Sequence, residues 1–183
     1  IKLNTIDFKI NKKQIISNLN FEVNKGAKIG IYGASGSGKS TLINIICGKY
    51  FADGDYILDG KKLTTDEIIN FFKNNISLIS QSSLLLNAAL KNNIAFGIEE
   101  DKIDEKNVLN VIKKAGLNTF FNKIDRDLNF EIDGINFNVS EGEKRRILIA
   151  RSLYFFKPIM ILDEATVNLD YQTQKDIIDM AAD

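Results

Sequence analysis

Gly33, Gly38, Lys39 and Ser40 fit G-x-x-x-x-G-K-[ST] inside the stretch GASGSGKST, Gly33 to Thr41. Such a run suits one kind of ligand. Phosphate oxygens need several backbone N–H groups aimed inward along a short turn. Glycines at Gly33, Gly36 and Gly38 let the chain curl and approach the oxygens closely. Ala34, Ser35 and Ser37 complete the cradle. Lys39 can reach β- and γ-phosphates, and the Ser40 hydroxyl, followed by Thr41, can ligate Mg²⁺. A helix starting near Gly38 would turn its positive end toward the same anion.

A second set of residues suits the same chemistry. Ile159 to Leu162 is an apolar run that ends in Asp163 and Glu164. A carboxylate at the end of a buried strand can hold Mg²⁺ opposite Ser40, directly or through water. With Asp163 on the metal, Glu164 is left to orient and polarise a water for in-line attack on a γ-phosphate. Gln81 also ends an apolar run, Ile76 to Ser80. There it can touch both the metal and the attacking water. Lys39, Gln81 and Glu164 are therefore the catalytic candidates. Ser40, Gln81 and Asp163 are the metal candidates.

The elements that position these residues follow from pattern. Lys28 to Tyr32 (KIGIY) predicts a short buried strand before the glycine-rich loop, and Thr41 to Cys47 an apolar helix after it. Ile1 to Ile10 and Ile15 to Val23 alternate around a polar turn at Asn11 to Lys13, which predicts an antiparallel pair. Asp55 to Leu58 predicts a strand, with a tight turn at Asp59-Gly60. Thr65 and the acidic residues after it predict a helix through Phe72. Ile76 to Ser80 predicts a second buried strand. Helices follow at Ala88 to Ala95, Glu105 to Ala115, Asn118 to Ile124 and Glu141 to Tyr154, where Pro158 closes the block. Ile159 to Leu162 is the third apolar strand, and Gln172 to Ala182 predicts a last helix. Short buried strands alternating with helices point to a parallel sheet, and the block from Gln81 to Tyr154 reads as a helical insertion.

Composition excludes little but bounds the rest. The 183 residues suffice for one good core. Lys plus Arg equals Asp plus Glu at 24 each, so charge gives no argument for nucleic acid or an anionic membrane. The single cysteine, Cys47, excludes an internal disulfide and sits on an apolar run, where a packed core thiol is the expectation. No apolar run approaches the length of a membrane span. With no Met at position 1 and no His anywhere, the chain is expected to be part of something longer.

Taken together, the loop at Gly33–Ser40, Gln81, and Ile159–Glu164 resemble the Walker A, Q-loop and Walker B motifs of ABC transporter nucleotide-binding domains. Val139 to Leu153 (VSEGEKRRILIARSL) is similar to that family's LSGGQ signature and the basic helix after it. Val167 to Asp170 falls where the D-loop belongs. Gln81 to Gly97, ending in the pattern N-I-x-x-G, resembles the exporter subgroup, in which this region faces the membrane domains. The resemblance implies an α/β fold: a P-loop NTPase core with a parallel sheet, an N-terminal antiparallel β part and an inserted α-helical part. One domain would span 1–183, with 1–80 and 155–183 as core and 81–154 as the helical part, cut short at the C-terminus. It implies MgATP as substrate and Ser140, with Gly142, capping the γ-phosphate of ATP held by a second such domain, head to tail. The remaining partners implied are the transmembrane domains of an exporter, with no nucleic acid. The place implied is the cytoplasmic face of a membrane.

The chain departs from the family pattern at four points. Glu141 stands in place of a glycine; pointing inward it would repel phosphate, pointing outward it would cap its helix. Ile10 stands where an aromatic stacks on adenine. Gly134 stands where exporters often carry a Glu. The switch histidine would lie past the last residue, so the isolated piece is expected to hydrolyse poorly. Two other functions fit parts of the sequence: a nucleotide-binding regulatory module with little turnover, and an ABC ATPase acting on ribosomes or DNA.

Overall fold

The computed structural model of the chain describes residues 1–80, 82–133, 138–163 and 175. The chain forms two compact units, Ile1–Ile76 and Ser77–Asp183.

The first unit is built on an antiparallel sheet. Strands β1 (Lys2–Ile10) and β2 (Lys13–Glu22) form a hairpin whose turn residues, Asn11 and Lys12, have φ of 48° and 66°. Left-handed conformation at both central positions matches the twist of the flanking strands. Strand β3 (Asp53–Leu58) pairs with the other edge of β1, and the Asp59-Gly60 turn leads into β4 (Lys61–Lys62), giving the order β2-β1-β3-β4. Gly54 lies so close to β1 that an added Cβ would stand 2.8 Å from the carbonyl oxygens of Asn4 and Thr5. Helices α1 (Lys39–Ile46) and α2 (Thr65–Asn75) complete the unit. Its core holds Leu3, Ile6, Ile43, Ile45, Tyr56, Ile68 and Phe72, all buried. Cys47, expected in that core, is half-buried at the end of α1.

Two expectations need correction here. The strand over Lys28 to Tyr32 is not formed, and no residue from Asn24 to Gly38 belongs to any sheet. Tyr32 is 93% exposed. Ile29, Ile31 and Tyr32 favour a strand, but a strand persists only where a neighbour takes its backbone bonds, and none of the described residues does so. The cap of α2 is Thr64, one residue earlier than expected. Its hydroxyl accepts from the Glu67 N–H while the Glu67 carboxylate accepts from the Thr64 N–H, a reciprocal box that needs a spacing of three.

The second unit is a short sheet and a helical block. Strands β5 (Ile76–Ser80) and β8 (Ile159–Asp163) are neighbours, and the chain crosses between them through the helices, as a parallel sheet requires. The block holds α3 (Leu90–Ile94), α4 (Glu105–Lys114), α5 (Asn118–Lys123) and α6 (Glu141–Tyr154). The helix expected over Ala88 to Ala95 is shorter. Ala88 and Ala89 form β6, paired antiparallel with β7 (Glu131–Ile132), and only then does α3 begin. The core packs Leu90 and Ile94 of α3, Val108 and Ile112 of α4, Phe120 of α5 and Ile147 of α6 around one another. The helix expected from Gln172 lies outside the described residues except for Lys175, which is helical. Among the described residues no helix is long and apolar enough to cross a membrane.

Candidate functional site

The glycine-rich loop enters α1 through Gly38, the residue before the helix, at φ 93° and ψ 8°. Gly36 also has positive φ, at 77°. Both positions lie in the left-handed region that glycine enters without steric cost. No side chain caps α1, and its first turn carries no acidic residue. The N–H groups of that turn, at Lys39, Ser40 and Thr41, therefore keep their capacity for an outside acceptor. Between Gly33 and Gly38 the loop is closed on itself. The Ser37 N–H donates to the Ala34 carbonyl at 3.2 Å. The Lys39 ammonium donates to the carbonyl oxygens of Gly33 and Ala34, both at 2.9 Å. A lysine stem folded across its own loop holds a positive charge at the centre of the turn. Gly33 must stay small, since an added Cβ would stand 2.7 Å from the Ser37 hydroxyl. Ala34, Ser35, Gly36, Ser37 and Ser40 are exposed. An open turn of amides with one cation and no carboxylate has the chemistry to take an anion.

In the same unit Ile10 ends β1 and is 42% exposed. Two residues earlier, Phe8 stacks on Tyr50 with ring centroids 5.3 Å apart. An aliphatic side chain left open on a strand end can pack on a flat ring without π stacking.

The remaining candidates belong to the second unit. Asp163 is the last residue of β8 and is half-buried. Its neighbour Glu164 lies outside the described residues, as do Gln81, Gly134 and Val167 to Asp170. The buried Arg145 of α6 donates from Nη1 to the carbonyl of Ser80, 3.1 Å away, fixing the end of β5.

Ser140 caps α6. Its hydroxyl accepts from the Glu143 N–H at 3.2 Å, and its N–H donates to the Glu143 carboxylate at 2.7 Å. Accepting leaves the hydroxyl proton of Ser140 available to an outside oxygen. Gly142 stands in the first turn, half-buried. Glu141 is exposed and pairs with Lys144, with Oε1 3.6 Å from Nζ. The side chain thus lies along the outside of its own helix. Glu143 was not paired with Ser140 from the sequence; their spacing of three, that of a capping box, is the signal that could have done so.

Nothing in the spacing links Asn93 with Arg151, yet these side chains share a dense set of polar contacts. Beside them lies a cavity of about 250 Å³ lined by Ser77, Leu148, Arg151 and Phe155, which none of the candidate site residues lines.

The comparison with known families matches the description "ABC transporter" over residues 16–167, a range that takes in the glycine-rich loop, α6 and β8. The chain is 33% identical to the ATP-dependent lipid A-core flippase of Pasteurella multocida over 94% of its own length and 30% of that protein. It is 30% identical to the ABC-type transmembrane transporter verA of Clonostachys rogersoniana over 88% of its length and 13% of that protein. Among solved structures it is similar to a bacterial Atm1-family ABC exporter with ATP bound. That match has a TM-score of 0.84 at 29% identity and covers 98% of this chain and 31% of the other. The chain thus spans at most about a third of the length of these relatives. With a four-stranded antiparallel sheet, the β5–β8 pair, a lysine-centred glycine loop and a serine-capped α6 in matching order, the chain belongs to the ABC transporter family.

Proposed function

We propose that the chain is the ATP-binding and ATP-hydrolysing part of a transporter, and that it powers export across a membrane by ATP-driven pairing with a second such domain. The observation that carries this reading is the Lys39 ammonium clamped on Gly33 and Ala34. A triphosphate offers that cation stronger, charged acceptors than two neutral carbonyls. The N–H groups of Gly36 to Thr41 would receive the phosphate oxygens, and Ile10 would pack on the base.

The residues present fit Mg²⁺. Ser40 is an exposed hydroxyl in the first turn of α1, and Asp163 is a carboxylate at a strand end, both oxygen donors of the kind a hard cation takes. Ser40, Asp163 and Gln81 would hold it, with phosphate and water as the other ligands. When bound, the ion supplies positive charge to the β- and γ-oxygens. Glu164 would orient a water and accept its proton as the water oxygen bonds to the γ-phosphorus. The bond to the bridging oxygen breaks, giving ADP and phosphate. Ser140 would donate its hydroxyl proton to the γ-phosphate held by the second domain, head to tail. The transmembrane domains of the exporter would convert closing and opening of that pair into movement of cargo. The relatives named above are by name a flippase and a transmembrane transporter, which supports a setting at a membrane, and the cytoplasmic face is where such a domain would meet ATP.

Ile10 favours a second reading, a module that binds nucleotide but turns over little, because an exposed aliphatic side chain holds the base without π stacking. One assay separates the two. The full-length transporter containing this chain should hydrolyse MgATP, and its Glu164→Gln variant should bind ATP without turnover. Hydrolysis no faster than that variant leaves the regulatory module.

A further inference from the structure

Segment 83–86 of the second unit has no regular structure, although it leads directly into β6. Three of its backbone groups, the Leu84 carbonyl and the Leu86 N–H and carbonyl, are bonded instead by two side chains from elsewhere in the unit. The Asn93 side chain of α3 is fully buried. Its Oδ1 accepts from the Leu86 N–H at 2.8 Å, and its Nδ2 donates to the Leu86 and Ala88 carbonyls at 3.1 and 3.0 Å. Arg151 reaches over from α6. Its Nη1 donates to the Leu84 carbonyl at 3.1 Å, its Nε to the Asn93 carbonyl at 2.7 Å, and its Nη2 to Asn93 Oδ1 at 3.2 Å. The guanidinium lies 5.0 Å from the centre of the Phe96 ring.

Two features make this more than packing. First, among the described residues no carboxylate pairs with Arg151; its partners are carbonyl and amide oxygens and a ring. Burial pulls its pKa down from the ordinary value. An ammonium or an apolar side chain would fill the space, but only a planar fork serves acceptors in three directions at once. Second, the segment so held is apolar and open to solvent: Leu84 is 70% exposed and Leu86 44%, with Phe96 at 48%. One helix, α6, therefore begins at Ser140 and, near its other end, grips the loop that presents these side chains.

We propose that Arg151 and Asn93 are positioning residues that tie the Leu84–Ala89 segment to α6, so that a shift of α6 on nucleotide binding is passed to the exposed apolar loop. This rests on the reading of the chain as the ATPase part of a transporter. Hydrogen–deuterium exchange on the full-length transporter in lipid vesicles, with and without MgATP, tests it. In the unsubstituted protein ATP should protect 33–41 and the first turn of α6, and should also change exchange across 84–89. In Arg151→Lys and Asn93→Ala, 84–89 should exchange about tenfold faster and lose its response to ATP. Protection of 33–41 by ATP and the slow exchange of α4 should persist, which a general loss of folding would not allow. An ATP response at 84–89 retained in both variants would overturn the proposal. So would an unsubstituted protein in which ATP protects 33–41 and α6 but leaves 84–89 unchanged, whatever the variants do. Absence of protection at 33–41 would overturn the nucleotide reading itself, and this proposal with it.

Discussion

The Lys39 ammonium donates a 2.9 Å hydrogen bond to the carbonyl of Gly33, six residues earlier in the chain. A second bond of equal length goes to Ala34. The loop is thereby wound around its own cation before any ligand arrives. Pre-winding lowers the ordering entropy that phosphate binding would otherwise incur. It also places the charge where the helix end and the turn amides already favour an anion.

The winding depends on Gly36 and Gly38. An added Cβ at Gly36 meets nothing within 4 Å, and one at Gly38 meets Ile15 at an ordinary 3.6 Å. Space is therefore no obstacle, and the cost of a substitution lies in φ of 77° and 93°. Gly36→Ala and Gly38→Ala should each destabilise the chain by about 1–2 kcal/mol. Chemical denaturation checks this. Weaker nucleotide binding should accompany each loss.

Ser140→Ala removes the cap of α6 and the hydroxyl offered to the second domain's nucleotide. We expect about 1 kcal/mol of lost stability. Affinity for ATP at the glycine loop should be unchanged while kcat falls, measured by titration and steady-state hydrolysis on the full-length transporter. A variant that loses stability but keeps kcat would confine Ser140 to capping.

The Lys61 ammonium is hydrogen-bonded to the Glu67 carboxylate, and with the Thr64 N–H it holds that carboxyl at about 2, down from 4.5. A depressed carboxylate pKa adds stability that is complete above the unfolded value and disappears as pH falls through the folded one. The stability difference between the unsubstituted chain and Glu67→Gln should be constant above about pH 4.5 and shrink toward pH 2. The pair is exposed, so added salt should reduce the difference.

Local chemistry was legible and tertiary pairing was not. The β1–β2 hairpin declared itself through Asn11 and Lys12, since a polar turn between alternating strands has no competing solution. The loop at Gly33–Thr41 was readable because glycine, lysine and hydroxyl each have a separate reason to be there. Thr64 was missed by one residue because Thr65 is equally polar, and only the three-residue distance to Glu67 selects between them. The two-residue ladder of Ala88–Ala89 with Glu131–Ile132 had no signal, because alanines before a helix look like helix. Arg151 and Asn93, 58 residues apart, each belong to a recognisable motif, but a buried hydrogen bond between them follows only from how α3 packs on α6. Lys28–Tyr32 failed for the opposite reason: its local pattern was strong, but no strand among the described residues pairs with it.

The central claim is that the turn around Lys39 binds a triphosphate. Titration of MgATP into the full-length transporter, compared with Lys39→Ala, tests it most directly. Loss of a charge-assisted contact of about 1.5–3 kcal/mol should weaken ATP binding by roughly ten- to a hundredfold. Equal affinity in the two proteins would contradict the claim.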